Sequence, residues 1–365
     1  MRDVYVGAMS AATALGDTFD VTWSRLFDGE SAIAPVTRFA TEALPHHLAA
    51  CVSGLEVTPE GNRVCALLER ALRGLPAFPS DTVTLWTGVK SGVDFVERVC
   101  VNEPPPARCL PRHVREWIAE KLNLSGGGLE LNAACASSTA GIAFGAELIR
   151  HGECDHVLVC AADIVSRFTF TGFSALRGLS VAGCRPFDVN RDGLCLGDGA
   201  AAMLLTADKT STRLAGWGIA NDANHITGPA RDGRGLVAAV QGALRVADLE
   251  PNDIHALCVH GTGTVYNDEM ELTALERLFG ERRFPAFGVK GAIGHTLGAA
   301  GLIESALCVR ALDDGTVLPT CGLDAPEPRA DGRFAASPQG FDGSRVLNTN
   351  SGFGGVNAAL IFERL

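Results

Sequence analysis

Three residues combine the side-chain type and the surroundings of a covalent-catalysis set. Cys135 stands in "LNAACASSTAGIAFGAELIR", where a short apolar run ends in small residues and a helix-like pattern begins. A thiol attacks an acyl group only as the thiolate, and unpaired N–H groups at a helix start favour negative charge, so this setting predicts a lowered thiol pKa. Ala134, Ala136, Ser137 and Ser138 leave room for an acyl carbon and a backbone to come close. Most cysteines are simply small buried hydrophobes, and the same reading stays open for Cys135 taken alone. His260 ends an apolar run and enters the turn "HGTGT"; His295, in "VKGAIGHTLGAAG", precedes small residues that require something to pack very close. A lone histidine is usually structural or solvated. Together the three define a candidate nucleophile and two imidazoles.

Two charges extend the set. Lys290 lies five residues before His295 in the otherwise uncharged run "FGVKGAIGH", and Glu304 lies in the apolar helix "GLIESALCVRAL". Charged groups are seldom buried unpaired, so each is a candidate partner for the other, the alternative being a surface lysine and a helix-face glutamate that do not touch.

The elements that must carry these residues alternate along the chain. Strand-like runs ("DTVTLWTGV", "HVLVCAADIV", "IHALCVHG") are interleaved with helical or small-residue stretches ("ASSTAGIAFGAELIRHG", "DEMELTALERLFG"). This predicts an α/β fold whose strands show little polar alternation and are therefore covered by helices on both faces. "RDGLCLGDGAAAMLLTAD" and "TNSGFGGVNAALIFERL" rhyme as glycine turn, small residues and apolar strand, which points to a duplicated unit or to an ordinary recurrence of glycine turns. The Pro- and Gly-rich stretches 101–117 and 323–343 are expected as surface loops.

Composition excludes several functions. The chain of 365 residues is 47% hydrophobic, enough for a large core and for one big domain or two smaller ones tightly joined in one compact body. No window reaches the apolar length of a membrane span, and the start lacks a signal-like segment, so a cytoplasmic protein is expected. The 12 cysteines are scattered without CxxC spacing, which reads as reduced thiols rather than disulfides or a zinc site. A net charge of -11 with no basic run argues against a nucleic-acid partner.

The strings "ACASS", "RPFDVNRDGLCLGDGAA", "VHGTGTVYNDEMEL", "VKGAIGHTLGAAG" and "NSGFGGVNAALIF", in this order, resemble the signature segments of β-ketoacyl-[acyl-carrier-protein] synthases, the elongating condensing enzymes. The resemblance implies a thiolase-like α/β fold of two duplicated halves, 1–208 with the nucleophile and 209–365 with both histidines, layered helix-sheet-helix-sheet-helix. It implies decarboxylative Claisen condensation of an acyl-enzyme with malonyl-[acyl-carrier protein] in fatty-acid or polyketide and polyene synthesis. Cys135 would carry the acyl group. His260 and His295 would bind the malonyl thioester and promote decarboxylation, with Lys290 and Glu304 ordering the surroundings of the second histidine, His295. The backbone N–H groups of Cys135 and Phe353 would form the oxyanion hole, Phe353 would gate, Phe173 would line the pocket, and Thr262 and Thr264 would bind the phosphopantetheine arm. No cofactor or metal is implied beyond that arm of the carrier protein. The expected partners are acyl carrier protein and a second subunit, in a homodimer or a heterodimer with a related synthase chain. A subunit that binds carrier but turns over little is the competing reading. Arg185 and Arg191 could touch an acidic carrier or be solvated or paired internally.

The chain departs from the family in two places. The segment before "ACASS" is shortened and proline-rich, and Ser351 stands where the family usually has a phenylalanine. Thiolases use a second cysteine, and chalcone-synthase-type enzymes place asparagine where His295 stands.

Overall fold

The computed structural model describes residues 2–55, 62–103 and 110–365. Ten strands form one mixed sheet: β1 (Tyr5–Thr13), β4 (Val83–Trp86), β5 (Gly128–Glu130), β6 (His156–Asp163), β8 (Gly199–Thr206), β9 (Thr212–Asn221), β10 (Ala256–Cys258), β11 (Ala286–Phe287), β14 (Arg345–Gly352) and β15 (Val356–Arg364). The short strands β2 (Ala34–Pro35), β3 (Leu48–Ala50) and β7 (Leu196–Gly197) form a three-stranded ribbon, and β12 (Thr316–Val317) pairs with β13 (Gln339–Gly340).

The sheet order is β11-β10-β14-β15-β9-β1-β8-β6-β4-β5. Counted outward from the centre, each half runs first, fifth, fourth, second, third strand. The pairings repeat as well: β1/β8 and β8/β6 are antiparallel and β6/β4 and β4/β5 parallel, and in the second half β9/β15 and β15/β14 are antiparallel and β14/β10 and β10/β11 parallel. The two halves join through a single register pair, Tyr5 with Arg213. The two rhyming stretches end in β8 and β15, which occupy the same place in the repeat.

The helices are α1 (Phe19–Phe27), α2 (Arg63–Leu72), α3 (Val93–Cys100), α4 (Pro111–Leu122), α5 (Ser137–His151), α6 (Arg167–Ala175), α7 (Arg234–Ala247), α8 (Val265–Phe279), α9 (Lys290–Ile293) and α10 (Ala300–Asp314). Helices α5 and α10 touch each other and strands of both halves; α2 and α4 cover the outer face of the first half and α7 that of the second. The result is helix-sheet-helix-sheet-helix. Strand alternation sorts the core accordingly. In β6, Val157 and Val159 face the central layer while Leu158 and Cys160 face outward; in β15, Leu360 and Phe362 face in while Ala359 and Ile361 face out. Both faces are therefore apolar, which is why the strands show so little polar alternation.

One expectation fails here. Of the stretch expected as a loop over 101–117, residues from Pro111 onward form α4, because proline at the first position of a helix lacks only an N–H that would have no partner there anyway. Residues 104–109 lie outside the described set. The stretch 323–343 is irregular apart from β13. Among the described residues no helix is long and apolar enough to cross a membrane.

The small residues after His295 have a steric cause. A Cβ on Gly301 of α10 would collide with the Thr139 hydroxyl of α5 and lie 2.7 Å from Asn350 Oδ1. The same approach lets the Leu302 N–H donate to Ser138 Oγ at 2.9 Å. Gly301→Ala is expected to lower unfolding free energy by roughly 1–3 kcal/mol, the range for overpacking a tight core. A urea-denaturation midpoint equal to the parent's would refute this account of the α5/α10 contact.

Candidate active site

Cys135 sits two residues ahead of α5, in a turn whose preceding residue, Ala134, has φ 50°, a left-handed conformation in which a larger branched side chain would be strained. Ser137 ties this turn: its hydroxyl donates to the Ala134 carbonyl at 2.6 Å and accepts the Ala133 N–H at 2.8 Å. Gly352 lies against it so closely that a Cβ there would be 2.8 Å from the Ala133 carbonyl oxygen. That contact brings the Phe353 backbone N–H to the Cys135 sulfur as a hydrogen-bond donor.

The lowered thiol pKa expected from sequence is not what the structure gives. Burial pushes the Cys135 thiol up to about 11, against the opposing influence of Lys290, the Phe353 N–H and Lys90. Desolvation outweighs the favourable charges and dipoles, so the resting nucleophile is a thiol.

His260 lies just beyond the end of β10 and His295 beyond α9, both buried, with ring centroids 5.2 Å apart and nearly perpendicular. Their tautomers follow from their neighbours. Asn350 Nδ2 donates to Glu304 Oε2 at 2.6 Å, and the Thr139 hydroxyl donates to Asn350 Oδ1, which fixes the amide. The same Nδ2 is 3.2 Å from His260 Nδ1, which must then accept and leave the proton on Nε2. The Leu297 N–H donates to His295 Nδ1 at 3.3 Å, with the same consequence. Burial first, and then the Lys290 charge, hold both imidazoles well below their ordinary range, so both are neutral Nε2–H donors.

Lys290 and Glu304 form a buried ion pair, one of the two alternatives that the sequence left open, and Lys290 Nζ also donates to the His260 carbonyl at 2.5 Å. The Glu304 carboxyl is raised by burial against these partners.

A cavity of about 480 Å³ brings together Cys135, His260, His295, Thr262, Thr264, Phe173 and Phe353. Lys290 and Glu304 stand behind its wall. A second cavity, of about 1040 Å³, shares Cys135, Phe173 and Phe353 and continues past Phe39, Val96 and Leu297. Phe353 stacks on Phe173 with centroids 5.6 Å apart, between the two spaces. Thr262 and Thr264 hydroxyls bond each other at 2.9 Å. Ser351 bonds Asn357 at 2.7 Å and lines the smaller cavity.

Arg191 is buried against Glu327 at 2.7 Å and so is paired internally, not a surface contact; Arg185 is half-buried. Sequence reasoning missed Asn350 and two acids of α8. Glu271 accepts the backbone N–H groups of His260 and Gly261 at 2.8 and 2.7 Å and is pushed by burial up to about 8; Asp268 accepts the Phe187 N–H and is pushed to about 6. The available signal was spacing: Asn348 and Asn350 share one face of an apolar strand, and Asp268 and Glu271 share one face of a helix.

The smaller cavity offers the Cys135 thiol and two neutral N–H donors, and the larger one a mainly apolar chamber, which suits acyl transfer through a thioester. Comparison with known proteins agrees. A family model described as "Beta-ketoacyl synthase, N-terminal domain" matches residues 103–211, and "Beta-ketoacyl synthase, C-terminal domain" matches 212–324. 3-oxoacyl-[acyl-carrier-protein] synthase 2 of Staphylococcus aureus (strain COL) is 26% identical over 409 residues, covering 100% of this chain and 98% of the relative. The tetracenomycin polyketide synthase ketoacyl synthase alpha subunit of Streptomyces glaucescens is 33% identical over 275 residues, 70% of this chain and 64% of the relative. Among solved structures, the ishigamide ketosynthase/chain length factor superposes with a TM-score of 0.89 at 25% identity, covering 100% of this chain and 99% of that one. The chain belongs to the β-ketoacyl synthase family, condensing acyltransferases of thiolase-like fold that serve fatty-acid and polyketide synthesis.

Proposed function

We propose that the protein condenses an acyl group held on Cys135 with malonyl-[acyl-carrier protein], giving 3-oxoacyl-[acyl-carrier protein]. The observation that carries this reading is the convergence of the Cys135 sulfur and the two histidine Nε2–H groups on one cavity. In the first step the Cys135 sulfur attacks the carbonyl of the incoming thioester. The carbon–sulfur bond to the phosphopantetheine breaks, and the thiol proton ends on the departing pantetheine sulfur. The backbone N–H groups of Cys135 and Phe353 take the negative oxygen. Malonyl-carrier then enters along Thr262 and Thr264, and its thioester oxygen meets His260 and His295. Loss of CO2 leaves an enolate whose charge these donors hold. Its carbon attacks the acyl-cysteine carbonyl, the acyl–sulfur bond breaks, and the Cys135 thiolate takes up a proton.

Division at 208/209 puts the nucleophile in the first half and both histidines in the second, and the reading needs no cofactor beyond the carrier's arm. Lys290 and Glu304 act as positioning residues, and Phe353 as the gate between the cavities. A second subunit, another copy or a related synthase chain, would dock on the edge strand β5, where Leu129 is exposed, with the exposed Phe95, Val99 and Val101 in and just after α3 as further apolar surface. The likeness to a ketosynthase/chain length factor supports such a pairing. The intact set around Cys135 favours the active member over a carrier-binding subunit with little turnover.

Cys135→Ala is expected to abolish product formation, and the acyl adduct should be lost from intact-protein mass spectra; undiminished condensation would remove the nucleophile assignment. Because the resting thiol titrates at about 11, iodoacetamide should alkylate Cys135 at a rate that keeps rising above pH 9, whereas a plateau by pH 7 would mean a resting thiolate. His260→Ala should slow malonyl decarboxylation about 10²–10³-fold, the range for loss of one oxyanion donor. The parent's decarboxylation should persist as pH falls through 6.5, since both imidazoles stay neutral there. A profile that drops with a midpoint near 6.5 would contradict the assigned charge state.

A further inference from the structure

Among the cations that line the larger cavity, none of them used by the condensation mechanism, Lys90 acts on Cys135. Lys90 is half-buried on its wall beside Val89, Val96 and Phe168, and within electrostatic reach of Cys135. Four other cations among the described residues line the wall: Arg38 pairs with Asp198 and Arg63 with Asp94 and Glu97, Arg98 is buried, and Arg167 is exposed to bulk solvent. Among the described residues Lys90 has no ion pair. The nearby Asp163 carboxylate is taken by the backbone N–H groups of Val89, Lys90 and Gly298 at 2.6–3.0 Å. That carboxylate acts on the Lys90 charge only at a distance, and Glu97 and Glu103 line the same wall without an ion pair to it, so the half-exposed ammonium keeps solvent around it.

An acyl chain entering this space expels that solvent. Unbroken hydrocarbon would strip the ammonium of water and return nothing, which is unfavourable for a charged group. A carboxylate on the chain would replace the lost water with a charge-assisted hydrogen bond, the stronger kind, and would neutralise the site. A ketone or hydroxyl would supply a hydrogen bond but no charge.

Resting on the acyl-transfer reading above, we propose that Lys90 is a specificity-determining residue and that the cavity takes the half-thioester of a dicarboxylic acid in preference to a plain fatty acyl chain. Charge-assisted hydrogen bonds contribute about 1.5–3 kcal/mol, so the preference should be at least about tenfold. The test offers the full-length protein the pantetheine thioesters of adipic, 5-oxohexanoic and hexanoic acids in competing pairs, and reads acyl-Cys135 by intact-protein mass spectrometry. Expected are adipoyl loading about tenfold over hexanoyl, retention of that preference in Lys90→Arg, and its loss in Lys90→Met while hexanoyl still loads. Equal or faster loading of hexanoyl would overturn the proposal, as would an oxo chain preferred over the acid. An equal fall for all three chains in Lys90→Met would make Lys90 a thiol-activating cation and overturn it as well. Failure of every thioester to label Cys135 would instead overturn the acyl-transfer reading on which it rests.

Discussion

The Lys290–Glu304 ion pair is the interaction on which the site depends, because it links every element that carries a reacting group. Glu304 belongs to α10, in the central layer; Lys290 opens α9, five residues before His295, and also bonds the His260 carbonyl. Through Asn350 the same carboxylate reaches β14, His260 and, by way of Thr139, the helix that follows Cys135. A buried pair of this kind is weak evidence for stability, since desolvation opposes the Coulomb attraction, yet removing one partner leaves an uncompensated charge at a cost of about 3–5 kcal/mol. Its value here is electrostatic and positional. One fixed positive charge disfavours protonation of both imidazoles, and one carboxylate orients the amide that sets a tautomer.

The duplicated topology explains how a nucleophile and two histidines distant in sequence meet. In each half the central helix follows the third strand and runs back between the two halves of the sheet. Helix α5 begins just after Cys135, and α10 begins just after His295. Their close packing, with Gly301 against Thr139, brings the starts of equivalent helices to one place. The return strand β14 lies over both and delivers Asn350, Gly352 and the Phe353 N–H. Fold symmetry supplies the approach; the difference between halves, thiol in one and imidazoles in the other, supplies the chemistry.

Much of this was legible in the sequence where a residue conflicts with its surroundings. A lysine in an uncharged run and a glutamate in an apolar helix must find partners, and they found each other. Small residues around Cys135 and after His295 had to mark close approach, and they do. What could not be read depends on tertiary burial. The helix-start argument for Cys135 was sound as far as it went, but desolvation, which only the packed fold determines, overrides it. Asn350, Asp268 and Glu271 look like ordinary polar residues because their partners come from distant segments or from backbone N–H groups. Helix α4 was hidden because proline counts as a breaker except at a helix's first turn.

The charge states assigned to the site fit the reaction better than a resting ion pair would. A thiolate beside an imidazolium would bind tightly to each other, and acyl transfer would begin by breaking that attraction. Here the thiol and both imidazoles are neutral, and the nearest permanent charges, Lys290 and Glu304, are paired behind the wall. Negative charge therefore appears only as sulfur attacks or as CO2 departs, and it appears where N–H groups already point. The backbone donor of Phe353 and the Nε2–H groups of His260 and His295 need not reorganise to meet it, and in a water-poor cavity such fixed dipoles act more strongly than they would in solution. The Phe353–Phe173 stack adds order to the sequence of events. It borders both cavities, so displacement of one ring by an arriving acyl chain would alter the space in which the enolate must form.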